Sequence, residues 1–267
     1  MELKEAINRT YLKYWKDSKG EKTALTNSDQ VLKTIGNVQV KSIDVNLIDK
    51  LIENLRDKGN SNSTINRKLS CLSKVLKYCY DREIIKHMPR IEYLKENEGK
   101  IRVLCEAEEK QILNYFFDVD VDMANFTIIG LDTGLRRSDI LKLTHANLDR
   151  QTNTISMVSG KTGQHILMPV TQRVANLLPT SRHINLKPAQ VNYRWNKMKK
   201  DLGIDDSSLT PHTLRHTFAT RLVMRGADHV VVQKLMGHSN FQMTLRYTHP
   251  SVNDLEDAIN LLTDSKD

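Results

Sequence analysis

Thr210-Pro211-His212-Thr213-Leu214-Arg215-His216-Thr217 is the stretch on which the reading of this chain turns. Thr210 is a good N-cap and Pro211 suits a first helical turn, so a helix is predicted from Pro211 to Arg225. Leu214, Phe218 and Leu222 recur four apart and would bury one face of it. His212 and Arg215, three apart, would share another face at the helix N-terminus. Free backbone N–H groups and the helix dipole favour an anion there. A rival reading takes His212 and His216, four apart, as metal ligands like those of an H-E-x-x-H helix. Thr213 stands where that motif needs its glutamate.

Three further segments carry groups suited to a phosphate. In Asp132-Thr133-Gly134-Leu135-Arg136-Arg137-Ser138-Asp139, Gly134 permits a turn at a helix start, from which Arg136 would project. A guanidinium binds phosphate bidentately, and Asp139 could hold its fork in place. Lys161 lies in Ser159-Gly160-Lys161-Thr162-Gly163, a hairpin signal between strands expected over 152–159 and 165–170. Leu235-Met236-Gly237-His238 is followed nine residues later by Tyr247, in Tyr247-Thr248-His249. Singly, each has an ordinary explanation: a surface Arg–Asp pair, a solvated loop lysine, a packed aromatic.

Composition narrows the partners. The 267 residues carry a formal charge of +8, with a pI of about 9.3. Residues 1–95 hold 19 Lys and Arg against 12 Asp and Glu, and residues 96–267 hold 21 against 20. The excess of base therefore lies in the first third, which suits a polyanionic partner. No apolar run approaches the ~20 residues that span a bilayer, and no signal peptide is visible. The three cysteines, Cys71, Cys79 and Cys105, lack C-x-x-C spacing and read as reduced thiols in an intracellular protein.

Pro89, Gly99 and Lys95-Glu96-Asn97-Glu98 mark a linker, dividing the chain at residues 1–95 and 96–267. The first part reads as all helix. Leu47, Ile48, Leu51, Ile52 and Leu55 have helical spacing and stop at Lys58-Gly59-Asn60. Residues 61–63 offer N-caps for a longer helix with Ile65, Leu69, Leu72, Leu76 and Cys79 inside. Asn66, Arg67, Lys68, Lys74 and Lys77 then form a stripe that is either a solvated face or a DNA contact. The second part reads as mostly helix with one short sheet, its helices expected over 106–117, 123–131, 188–202, 211–225 and 229–236.

Taken in order, Arg136, Lys161, His212-x-x-Arg215, His238 and Tyr247 resemble the tyrosine recombinases, the phage integrase family. The matched span is Arg136 to His249; Asp139 stands where many members have Glu. The resemblance implies a mainly α fold with a small antiparallel β-sheet. Residues 1–95 would be a helical, SAM-like core-site DNA-binding domain, and residues 96–267 an α+β catalytic domain with a C-terminal tail. It implies a site-specific DNA recombinase in which Tyr247 attacks a phosphodiester and forms a 3′-phosphotyrosyl link, releasing a 5′-hydroxyl. Arg136 and Arg215 would bind the non-bridging oxygens, with hydrogen bonds from His212 and His238. The cationic cluster would favour the Tyr247 phenolate, His212 would take its proton, and Lys161 would protonate the leaving oxygen. No metal and no ATP are expected, so no cofactor.

The implied partners are double-stranded DNA core sites, DNA-bending accessory proteins and a homotetramer on DNA. Val252, Leu255, Ile259 and Leu262 of the tail could dock on a neighbouring subunit or on their own domain. The expected setting is the cytoplasm of a bacterial host. Many phage integrases also carry an arm-binding domain, expected here to be missing or removed. A phage or mobile-element integrase stands first. A chromosome or plasmid dimer resolvase, a type IB topoisomerase-like enzyme, a non-catalytic DNA-binding protein and a metallohydrolase are the alternatives.

Overall fold

The computed structural model describes residues 1–96, 99, 101–160, 162–180, 184–238 and 240–247. The chain divides into two compact units, Met1–Gly99 and Lys100–Asp267. No described helix is long and apolar enough to cross a membrane.

The first unit is helical: α1 (Leu3–Thr10), running into a π-helical turn at Tyr11–Trp15, α2 (Glu21–Ile35), α3 (Val45–Asp57) and α4 (Asn62–Tyr80). Asp44 caps α3 by accepting from Leu47 N, and Ser61 caps α4 by accepting from Thr64 N, so each helix starts where a side chain satisfies an orphan amide. Gly59, with φ +76°, takes the left-handed turn between them. The expected apolar set of α4 is buried as read, from Ile65 to Cys79, and packs on α1, α2 and α3.

The basic stripe on α4 requires correction. Asn66 and Lys68 are buried, at 8% and 1% exposure. Asn66 brackets the backbone of Leu94, accepting from its N–H at 2.9 Å and donating to its carbonyl at 2.8 Å, with a further bond to Glu96. Lys68 Nζ donates to Asn60 Oδ1 at 2.8 Å, and burial lowers its pKa. A buried polar group must find a partner, and both have found theirs inside the protein. Arg67, Lys74 and Lys77 remain exposed. Lys77 pairs with Asp81 at 2.9 Å, and Lys74 Nζ lies 4.9 Å from the Tyr14 ring centroid.

The second unit opens with α5 (Glu106–Val119) and α6 (Val121–Thr133), followed by the short α7 (Arg137–Ile140). A three-stranded antiparallel sheet follows: β1 (Leu148–Asp149), β2 (Thr154–Val158) and β3 (His165–Pro169), in the order β1-β2-β3. Ile155 pairs with Leu148 on one side and Met168 on the other, which puts all three side chains in the core. The β2–β3 hairpin was legible in advance, whereas the two-residue β1 was not. Then come α8 (Gln172–Thr180), α9 (Pro188–Asp201), α10 (Thr213–Met224), α11 (His229–Met236) and α12 (Gln242–Leu245). The fold is the mainly helical one expected, with its single small sheet.

Helix α6 is apolar almost all round and sits centrally against α5, α8 and α10. At Gly130 a Cβ would lie 2.9 Å from Leu214, so the glycine permits the close approach of α6 to α10. Two boundaries differ from expectation. Helix α10 starts at Thr213 with His212 as its N-cap residue, because Thr213 Oγ1 accepts from Thr210 N and closes a tight turn before the helix. Gly134 makes the expected turn ahead of α7, but its left-handed φ of +60° closes α6, and α7 starts only at Arg137.

Candidate active site

Two guanidiniums lie at the centre of the site, and helix ends hold both. Arg215, on the first turn of α10, is 5% exposed. Its Nη1 donates to the carbonyl of Gly134 at 2.5 Å and its Nη2 to the carbonyl of Met236. Arg136, the N-cap residue of α7, donates through Nη2 to the carbonyl of Gly237 at 3.0 Å. Gly134 ends α6, while Met236 and Gly237 end α11. The unpaired carbonyls of a helix C-terminus carry partial negative charge and prefer a cation. These ends therefore supply the anchoring expected of Asp139, and among the described residues no ion pair joins Asp139 to Arg136.

Asp139 does something else. It is fully buried, and its carboxylate accepts from Ser159 Oγ at 3.1 Å and from Gly160 N at 2.9 Å. That fixes the base of the hairpin turn that carries Lys161 in the sequence. Lys161 itself lies outside the described residues, as do His249 and the tail residues Val252, Leu255, Ile259 and Leu262.

Arg136 and Arg215 line two adjoining hollows. One, of about 360 Å³, also takes in Ser138, Thr210 and His212; the other, of about 140 Å³, takes in Asp139, Ser159 and Lys234. Burial and the like charge of Arg136 bring Arg215 down to about 10, still cationic at neutral pH.

Tyr247, 7% exposed, lies within electrostatic reach of Arg215. Its hydroxyl is 2.9 Å from His216 Nδ1, and its ring lies against His238 with centroids 6.2 Å apart and planes 8° from parallel. His238 Nδ1 is 2.9 Å from the hydroxyl of the buried Thr244. His212 is exposed at the mouth of the larger hollow, its ring edge-on to His216 at 4.6 Å. The structure thus brings together Arg136, His212, Arg215, His216, His238 and Tyr247.

Two expectations about Tyr247 change. Its hydroxyl is bonded to His216, for which the sequence pattern offers only a metal-ligand role. Its pKa is raised, because burial outweighs the pull of Arg215 and Arg246. Burial, reinforced by neighbouring cations, pushes both His216 and His238 down to about 4, so both rings are neutral at neutral pH. The signal for His216 was present in its i, i+4 spacing from His212. Its partner, however, lies 31 residues away, and no spacing rule connects them.

Residues 102–254 match the Phage integrase family, and residues 4–95 match the Phage integrase SAM-like domain. The chain belongs to the phage integrase family. Among its relatives, the integrase of Escherichia phage P2 is 27% identical over 219 residues, 80% of this chain and 64% of that protein. The chain therefore spans less than two thirds of that relative. Tyrosine recombinase XerC of Thermodesulfovibrio yellowstonii is 29% identical over 238 residues, covering 74% of this chain and 75% of that one. The Tn1549 transposon integrase, solved in complex with transposon right end DNA, shares the fold. Its TM-score is 0.82 at 19% identity, over 98% of this chain and all of that one.

Proposed function

We propose that the chain is a site-specific DNA recombinase that cleaves and rejoins DNA through Tyr247, acting in integration or excision of a phage or mobile element. The observation that carries this reading is the Tyr247 hydroxyl held by His216 on the helix that carries Arg215, with the Arg215 and Arg136 guanidiniums both bound to helix ends. A preorganised cationic pair costs no reorganisation when charge develops on a phosphate. Tyr247 Oη forms a bond to phosphorus and the bond to the 5′-oxygen breaks, leaving a 3′-phosphotyrosyl link and a 5′-hydroxyl. The covalent link conserves the phosphoester for rejoining, so no ATP is called for.

Arg136 and Arg215 bind the non-bridging oxygens, and His212 and His238 add hydrogen bonds. Because Thr244 engages Nδ1 of His238, Nε2 is the atom left to face the phosphate. Lys161 protonates the leaving 5′-oxygen, on a turn whose base Asp139 holds. Residues 1–95 form the core-site clamp, with Arg67, Lys74 and Lys77 facing the DNA backbone, and residues 96–267 form the catalytic domain. The working assembly is a tetramer on two duplexes, with DNA-bending accessory proteins as further partners. The similarity to XerC over most of both chains favours dimer resolution as the second reading.

The test uses nicked duplexes drawn by binding selection from a randomised pool. A covalent protein–DNA adduct should form in EDTA and vanish in Tyr247→Phe. An adduct that persists in that variant refutes Tyr247 as nucleophile; cleavage that requires a divalent ion refutes the metal-free scheme.

A further inference from the structure

We propose that His216 is the proton acceptor for Tyr247, taking the phenolic proton on Nδ1 as the hydroxyl attacks phosphorus. This deepens the proposed function and rests on it. The geometry is direct: Nδ1 and the Tyr247 oxygen are 2.9 Å apart, within the reach that general-base catalysis requires. His216 is carried on α10 one residue after Arg215, so the group that accepts the proton and the group that binds the phosphate move as one rigid element. The ring is further located by the edge of His212 at 4.6 Å and by the tilted ring of Tyr247 at 5.7 Å.

The proton balance closes. With the ring neutral and its own proton on Nε2, Nδ1 offers a lone pair. The phenolic proton moves to Nδ1, the Tyr247 oxygen bonds to phosphorus, the 5′-oxygen leaves and takes a proton from the Lys161 ammonium. In rejoining, the 5′-hydroxyl returns its proton to Lys161, and the His216 imidazolium returns its own to the departing Tyr247 phenolate. Nothing is oxidised or reduced.

The surroundings also make this base conditional. The charged and titratable groups around His216 are His212, Arg215, His238, Arg246 and Tyr247. In the free protein burial, reinforced by the cations among them, suppresses its basicity. A bound phosphodiester places negative charge beside Arg215 and offsets the smaller, cationic part of that suppression. Tyr247 accordingly stays protonated until a phosphate is present.

The experiment measures single-turnover adduct formation on the nicked duplex with 3,5-difluorotyrosine in place of Tyr247, which lowers the phenol pKa, and with the native residue. His216→Asn keeps an acceptor near the Nδ1 position but takes no proton; His216→Gln serves if the first variant is destabilised. Thermal unfolding and DNA binding are measured alongside. The expected result is a loss of about 10²-fold or more in the native-tyrosine background, most of it regained with difluorotyrosine, in a folded protein that binds DNA as before. A variant within threefold of wild type overturns the assignment. A loss that difluorotyrosine leaves unchanged overturns it too, as does rescue confined to His212→Asn. An absent adduct in the unaltered chain refutes the Tyr247 reading itself, whereas a normal adduct with an unaffected His216→Asn refutes only the proton acceptor.

Discussion

Gly134 joins the core to the site, and Gly134→Ala tests that connection quantitatively. The residue closes α6 at φ +60°, a conformation that costs an L-residue ~1–2 kcal/mol. An added Cβ would lie 2.3 Å from Phe218 Cδ1, well inside contact distance, and forcing a group into a packed site costs ~1–3 kcal/mol. The expected loss is therefore about 2–5 kcal/mol, which for a unit of this size lowers its midpoint by roughly 5–15 °C. The second unit should be followed by its own transition in calorimetry, or by urea denaturation with a tryptophan signal from the buried Trp195.

The two contributions separate in a double-mutant cycle. Phe218→Leu removes the ring edge, so it should cost at least ~1 kcal/mol less in the Gly134→Ala background than in wild type. Adduct formation should fall as well, because the displaced Gly134 carbonyl is the acceptor of Arg215 Nη1. A midpoint shift under about 2 °C, or strict additivity with Phe218→Leu, would refute the argument.

Three other outcomes are expected. His216 and His238 are held near 4 in the folded protein and titrate near 6.5 when unfolded, so between these values the unfolded state binds more protons. Stability should then fall as pH drops from about 6.5 to 4, by up to ~1.4 kcal/mol per pH unit for each histidine, and His238→Asn should flatten the curve; an unchanged slope contradicts the burial argument. Arg67→Ala should reduce the log–log salt slope of DNA binding by about 1, whereas Lys68→Met should leave it unaltered; the reverse order would restore Lys68 as a phosphate contact. Asp139→Asn should slow cleavage by up to ~10²-fold through the misplaced hairpin turn. A 5′-bridging sulfur, which needs no protonation to leave, should remove most of that defect; an equal defect on both substrates would place the role of Asp139 elsewhere.

The sequence by itself determined what is local. Apolar spacing placed α3 and α11, and the N-caps at 61–63 placed the start of α4; in the structure Asp44, Ser61 and Asp228 each satisfy amides within three residues of themselves. The order of Arg136, Lys161, His212, Arg215, His238 and Tyr247 was enough to show the family resemblance, since order along the chain is legible whatever the loops between them. Where local propensity missed a boundary, another local interaction set it: Thr210 N–H donates to the hydroxyl of Thr213, three residues on, and Gly134 takes the left-handed turn that ends α6.

Only the tertiary structure decided who holds whom. Arg136 meets a carbonyl 101 residues away, Arg215 one 81 residues away, and Tyr247 an imidazole 31 residues away. Asp139 faces the hairpin, and Lys68 is turned inward to Asn60. A helical pattern shows which residues share a face, but not which face a neighbouring helix will cover. Burial depends on that covering, and it determines whether a lysine is a DNA contact or a structural donor, and whether a histidine beside a tyrosine is neutral and able to take a proton.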